Sequence, residues 1–139
     1  MKRWVLLMTT IPLLWAGPRA ACSQAALVVI GHPSLEKIDL PTLQRVFTGR
    51  VVEVGGQPVT PINAAAGSSI RETFLQVYLQ QDEQRYVAYW TVRRYIGKGV
   101  PPRELASSDD VIRFVRATPG AIGYVPEAGL PPDIHVLLR

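Results

Sequence analysis

The stretch Pro61-Ile62-Asn63-Ala64-Ala65-Ala66-Gly67-Ser68-Ser69-Ile70-Arg71-Glu72-Thr73-Phe74 joins an extended segment to a helix through a loop of small residues. The first N–H groups of a helix lack intrahelical acceptors, and the aligned peptide dipoles add about half a positive charge there. Hydroxyls at Ser68 and Ser69, the Ile70 amide and the Arg71 guanidinium would complete a cradle for a small oxyanion. Gly67 would let the backbone approach it. His32, between Gly31 and Pro33 at a strand end, stands where open α/β sheets place ligands and is a second candidate contact. The same residues also have a purely structural reading. Ser69-Ile70-Arg71-Glu72 fits a capping box, with Ser69 bonding the Glu72 amide and Glu72 bonding back, and Arg71 solvated in the first turn. Both readings stay open at this level.

Other chemistries fit less well. Acyl transfer would need Ser68 or Ser69 with His32 or His135, and the Gly-x-Ser-x-Gly elbow is absent. Asp109 and Asp110 stand at a predicted helix start, where capping accounts for them. Two histidines about a hundred residues apart and one cysteine form no metal motif, so neither metal nor cofactor is expected. Trp90, Arg93, Arg94 and Tyr95 could make a basic aromatic patch, but arginines on the solvated face of an amphipathic helix explain them more simply. Arg45 and Arg50 suit the negative end of a helix dipole.

The elements that position these residues alternate along the chain. Ala26–Ile30 is an apolar, β-branched run ended by Gly31-His32-Pro33 and predicts a buried strand. Asp39 caps a helix with Leu40, Leu43, Val46 and Phe47 inward, Pro41 in its first turn and Gly49 at its stop. Val51–Val54 and Val59–Ile62 flank a Gly55-Gly56-Gln57-Pro58 turn. A second helix carries Ile70, Phe74, Val77 and Tyr78 on one face. A third, from about Asp82 to Ile96, has Tyr86, Tyr89, Val92 and Ile96 as its inward stripe. Ser107 and Asp110 open a fourth with Val111, Phe114 and Val115. Thr118-Pro119-Gly120-Ala121 fits a type II turn that delivers Ile122–Val125 as a strand, and Ile134–Leu138 is a last apolar run. The pattern predicts one α/β domain with a mixed or parallel sheet and about four helices.

The 139 residues suit one ordinary domain, and 47% apolar with 19% charged residues is globular composition. Lys2 and Arg3, then an uncharged apolar run to Ala16, Gly17-Pro18 and small residues to Ala26, have the pattern of a secretory signal peptide over residues 1–25. The run is short for a membrane anchor. Ala20-Ala21-Cys22 invites lipidation at Cys22, against which Arg19 counts. Without Lys2, Arg3 and Arg19 the chain holds 12 basic and 11 acidic residues, a net charge of +1. The high precursor charge therefore belongs mostly to the leader, and nucleic-acid binding is not expected.

The motifs Asp39-Leu40-Pro41-Thr42-Leu43-Gln44-Arg45-Val46-Phe47-Thr48-Gly49-Arg50, Gly56–Asn63, Gly67-Ser68-Ser69 to Phe74, and Pro119-Gly120-Ala121-Ile122-Gly123-Tyr124 occur in that order. Together the sequence resembles the phosphate-binding proteins of ABC transporters over most of residues 27–126. The resemblance implies a single periplasmic-binding-protein-like lobe over residues 26–139, exported to the periplasm or secreted. It also implies a contact with phosphate or another small oxyanion at this loop, where Ser68 alone keeps the family's residue; Gly67, Ser69, Ile70, Arg71 and His32 join it as candidates on their own chemistry, and no enzymatic activity is expected. Two departures stand out. Ala64 replaces the family's arginine, and Ser68-Ser69-Ile70 replaces its Ser-Gly-Thr. The family's proteins are also about twice as long and clamp their ligand between two lobes. A second expectation is therefore an interaction protein that no longer binds ligand and works with an inner-membrane transporter or sensor. Homodimerisation that rebuilds a two-lobed cleft is a variant.

Overall fold

A computed structural model describes residues 26–139; the expected signal peptide lies outside the described residues. The elements are β1 (Leu27–Gly31), α1 (Leu40–Phe47), β2 (Glu53–Val54), β3 (Gln57–Pro58), β4 (Thr60–Ala64), α2 (Ser69–Phe74), a π-helical turn (Leu75–Leu79), α3 (Glu83–Tyr95), β5 (Arg103–Leu105), α4 (Ser108–Ala117), β6 (Ala121–Pro126) and β7 (Val136–Leu138). Five strands form one mixed sheet in the order β5-β4-β6-β1-β7, and β2 and β3 form a separate hairpin. β4 runs parallel to β5 and β6, whereas β1 is antiparallel to β6 and β7. The carboxyl ends of β4, β5 and β6 therefore share one end of the sheet.

Alternation along the central strands divides the core. Leu27 and Val29 with Ile122 and Tyr124 pack into one cluster with α1, α2, the π-turn and α3. Val28, Ile30, Ile62 and Val125 face the other way, against Val111 and Val115 of α4. Phe74 stacks flat on Tyr124 with ring centroids 3.8 Å apart, and Phe47 tilts onto Phe74 at 4.8 Å.

Several predicted elements recur with small boundary shifts. Asp39 caps α1 and accepts from the Thr42 amide, and Ser107 caps α4 and accepts from Asp110. The second and third helices differ, and so does the expected hairpin: Glu53–Val54 pairs with Gln57–Pro58, inside the expected turn, while Thr60–Ala64 joins the main sheet beside β6. The π-turn inserts an extra residue and rotates the inward face, so Leu75, Tyr78 and Leu79 are buried while Val77 is exposed. On α3, Tyr86 and Trp90 turn inward, while Val92 and Ile96 are exposed at 60% and 57%. Trp90 thus belongs to the core, and Arg93 is held by the Gly49 and Lys98 carbonyls at 3.1 Å each.

The turn before β6 presses on the hairpin. Gly120 has φ +80°, and a Cβ there would lie 2.0 Å from the Pro58 carbonyl oxygen. Gly67 has a similar φ of +82° with nothing within 4 Å. Gly120→Ala should therefore cost about 3 kcal/mol, from left-handed strain plus a backbone clash, and Gly67→Ala only about 1 kcal/mol. Urea denaturation of the two variants checks this; equal losses would contradict it.

Candidate functional site

The loop Ala65–Ser68 leaves the carboxyl end of β4 and enters α2. The cap is Ser68 rather than the expected Ser69: its Oγ accepts the Arg71 amide at 3.2 Å, and its carbonyl accepts the Glu72 amide. The reciprocal bond expected of Glu72 is not formed, and Ser69 is exposed. Gly67 is also exposed, and Ser68 and Ile70 are half-buried, so part of this helix start faces solvent.

Arg71 corrects the expectation most sharply. It is 3% exposed and turned inward. Its Nε and Nη2 donate to the two oxygens of Glu83 at 2.8 and 2.7 Å, a bidentate pair. Nη1 donates to Glu104 Oε1 at 2.5 Å and to the Ala64 carbonyl at 3.3 Å. Glu104 Oε2 in turn lies 3.5 Å from the Ala66 amide nitrogen. Desolvation would lower the Arg71 pKa, but the hydrogen bonds and charges of Glu104 and Glu83 more than reverse this and hold it above its usual value. An internal carboxylate thus engages the guanidinium and one loop amide on which an oxyanion was expected.

Beneath the loop runs a buried polar chain. The Ala64 amide donates to the Tyr124 hydroxyl, which donates to Asn63 Oδ1; Asn63 Nδ2 donates to the Tyr86 hydroxyl, which donates to the Phe47 carbonyl, each at 3.0 to 3.1 Å. Burial pushes the Tyr124 and Tyr86 hydroxyls well toward the protonated form. This chain fixes the end of β4 against β6, α1 and α3, and so sets where the loop begins.

His32 lies elsewhere. Its amide donates to the Ala121 carbonyl, at the start of β6, which pairs with Thr60 at the start of β4. The loop leaves β4 four residues later, about 13 Å along the strand at ~3.3 Å per residue. His32 instead lines a cavity of about 170 Å³ with His135 and the Arg116–Asp133 ion pair. His32 and Gly67–Arg71 do not converge. Among the described residues there is no cluster of three or more His, Cys, Asp or Glu able to hold a metal, and no helix long and apolar enough to cross a membrane.

Comparison with solved structures places the architecture. An ABC-type phosphate transport receptor from Vibrio cholerae matches at TM-score 0.62 and 14% identity, over 82% of this chain and 47% of that one. A Clostridium perfringens protein, assigned as a phosphate ABC transporter substrate-binding protein and holding bound phosphate, matches at 0.63 and 15%, over 81% and 44%. PstS from Borrelia burgdorferi matches at 0.57 and 19%, over 74% and 41%. The chain has the fold of one solute-binding-protein lobe. It spans less than half the length of these structures, the first two of which are named for phosphate transport. No family model and no curated protein matches the sequence.

The residues that sequence reasoning missed are Glu83, Glu104, Asn63, Tyr86 and Tyr124. Glu104 lies on three-residue β5, which Pro101-Pro102 made look like connector. Arg71→Met should leave Glu83 and Glu104 facing one another with no cation. The expected loss is about 2 kcal/mol, moderated because the two carboxylate side chains are 30% and 48% exposed. Adding Glu83→Gln to that variant should recover part of it, read by chemical denaturation. The raised tyrosine pKa values make a separate prediction. The fold favours protonated Tyr124 and Tyr86, whereas unfolded tyrosine ionises near pH ~10, so stability should be level below that pH and fall above it. Tyr124→Phe should make the alkaline decline shallower in pH-dependent melting.

Proposed function

We propose that this chain is an exported, non-enzymatic module with a solute-binding-protein fold, acting through a partner protein in the cell envelope rather than as a phosphate carrier. The observation that carries this is the Glu104 carboxylate on Arg71 and the Ala66 amide. An incoming oxyanion must displace a tethered carboxylate that is present at high effective concentration. It must do so beside Glu83, which already holds the same guanidinium through two hydrogen bonds. Ala64, where the resembling family has arginine, supplies no replacement charge.

Support for the partner comes from the end of α3. Val92, Tyr95 and Ile96 fall on one face at helical spacing and are exposed, and Val100 follows in the next loop. Tyr95 is 92% exposed, which suits an amphipathic contact residue. An inner-membrane transporter component or a sensor is the class of partner that the solute-binding fold suggests.

The weaker reading, oxyanion binding at Gly67–Ile70, keeps one observation in its favour: the Ser69 and Ile70 amides have no hydrogen-bond acceptor among the described residues. NMR titration with inorganic phosphate separates the two. The wild-type Gly67–Arg71 amides should stay unmoved at millimolar phosphate, and Glu104→Gln should allow shifts at Gly67–Ile70. Wild-type shifts confined to that loop would sink the interaction reading. A photo-crosslinker placed at Tyr95 should form an adduct in intact cells that the same group at Arg113 does not; equal or absent adducts count against the α3 surface.

A further inference from the structure

A polar cleft lies away from the loop just described, between the carboxyl end of α1, the exit of the π-turn and α3. It holds about 450 Å³ and is lined by Arg45, Arg50, Gln80, Gln81, Tyr89 and Thr48, among others. No carboxylate lines it. Among the described residues neither Arg45 nor Arg50 forms a direct ion pair, although the charge of Arg45 is felt by Asp39, the cap of α1.

The end of α1 does not need these arginine side chains to satisfy its carbonyls. The last carbonyls of α1 already have acceptor bonds filled by backbone: Thr48 to Gln44, Gly49 to Val46, and Arg50 and Val51 both to Arg45. Those bonds turn the chain back so that Arg50 follows directly beside Arg45, with its amide 2.8 Å from the Arg45 carbonyl oxygen. Both arginines line the one cleft.

The opposite wall is built from unusual backbone. The π-turn Leu75–Leu79 is a rare form that tends to occur at functional sites. It exits through Gln80 at φ +54°, the single non-glycine residue with positive φ among those described. Glycine would adopt this conformation without strain. Gln80 and Gln81 both line the cleft, Gln80 exposed and Gln81 half-buried. The floor is rigid: the Tyr89 hydroxyl donates to the Thr48 carbonyl at 2.8 Å, and Gln44 Nε2 donates to the Tyr78 carbonyl at 2.9 Å.

We infer that this cleft is a binding site for a phosphate monoester carried on a small hydroxylated body. Two arginines on one cleft suit a dianionic tetrahedral head, which guanidinium groups bind bidentately. The two carboxamides can donate to and accept from hydroxyl groups, and the half-buried Tyr89 ring offers an apolar face. The inference does not depend on the partner-protein reading, and the two sites share no lining residue.

The test is an NMR titration of the described chain with glucose 6-phosphate, with glucose, citrate and inorganic phosphate as comparison arms. Glucose 6-phosphate should move the Arg50, Gln80 and Gln81 amides, glucose should not, and inorganic phosphate should act more weakly. Arg45→Gln with Arg50→Gln, both at exposed positions, should weaken binding at least about tenfold. Arg94→Gln should leave binding unchanged. Gln80→Gly relieves the backbone, so the melting temperature should hold or rise while affinity falls, which separates loss of binding from loss of fold. No response to glucose 6-phosphate overturns the proposal, as does a response that survives the double substitution. Binding of citrate without the ester overturns the ligand class. A negative result here leaves the Gly67–Ile70 amides and the Glu104→Gln response untouched, so the two readings fail separately.

Discussion

A guanidinium taken out of water needs negative charge close by, and much of this lobe's layout follows from meeting that need at Arg71. Its three donor nitrogens reach Glu83 at the start of α3, Glu104 on edge strand β5 and the last carbonyl of β4. One side chain thus ties α2 to the three elements around it. β5 pairs with β4 over only three residues, Ile62 to Arg103 through Ala64 to Leu105. So short an edge strand gains from an ionic anchor. Such a network is weak evidence for net stability, because desolvation offsets much of the attraction, but it fixes geometry firmly. The geometry it fixes is that of the loop before α2.

The same bonds determine what the loop can do. A helix start with free amides and a mobile arginine attracts oxyanions; here the arginine is sequestered and a carboxylate lies over Ala66, which leaves the Ser69 and Ile70 amides as the open donors. The fold likeness to phosphate-binding structures and the local chemistry therefore point in different directions, and local chemistry is the better guide to function. The polar chain through Asn63, Tyr86 and Tyr124 reinforces this by holding the end of β4 in one position.

Legibility in the sequence followed the source of each signal. α1, α4 and β1 were readable because cap, periodicity and stop residue agree within one short segment. α2 was readable at its start but not in its face, since nothing in Leu75–Leu79 announces the extra residue of a π-turn. On α3 the sequence offered aromatic residues at four positions, and only tertiary packing decides that Tyr86 and Trp90 go in while Tyr95 stays out. The loop was correctly singled out as a helix start. Its cap was displaced by one residue, because Ser68 and Ser69 are locally equivalent. Arg71 was legible as a cation, and its partners were not, because Glu83 and Glu104 lie 12 and 33 residues away. His32 was placed at a strand end correctly, but β1 runs antiparallel to its neighbour, which puts that end opposite the loop.

That antiparallel placement has a consequence for assembly. β1, nearly the first described segment, sits between β6 and β7, nearly the last, so its backbone ladder is satisfied only by residues 121–138. Closure therefore waits on contacts about a hundred residues apart, which makes folding slow relative to a chain built from neighbouring pairs. A fragment stopped before Ala121 would leave the most apolar strand of the molecule with neither neighbour, open and adhesive.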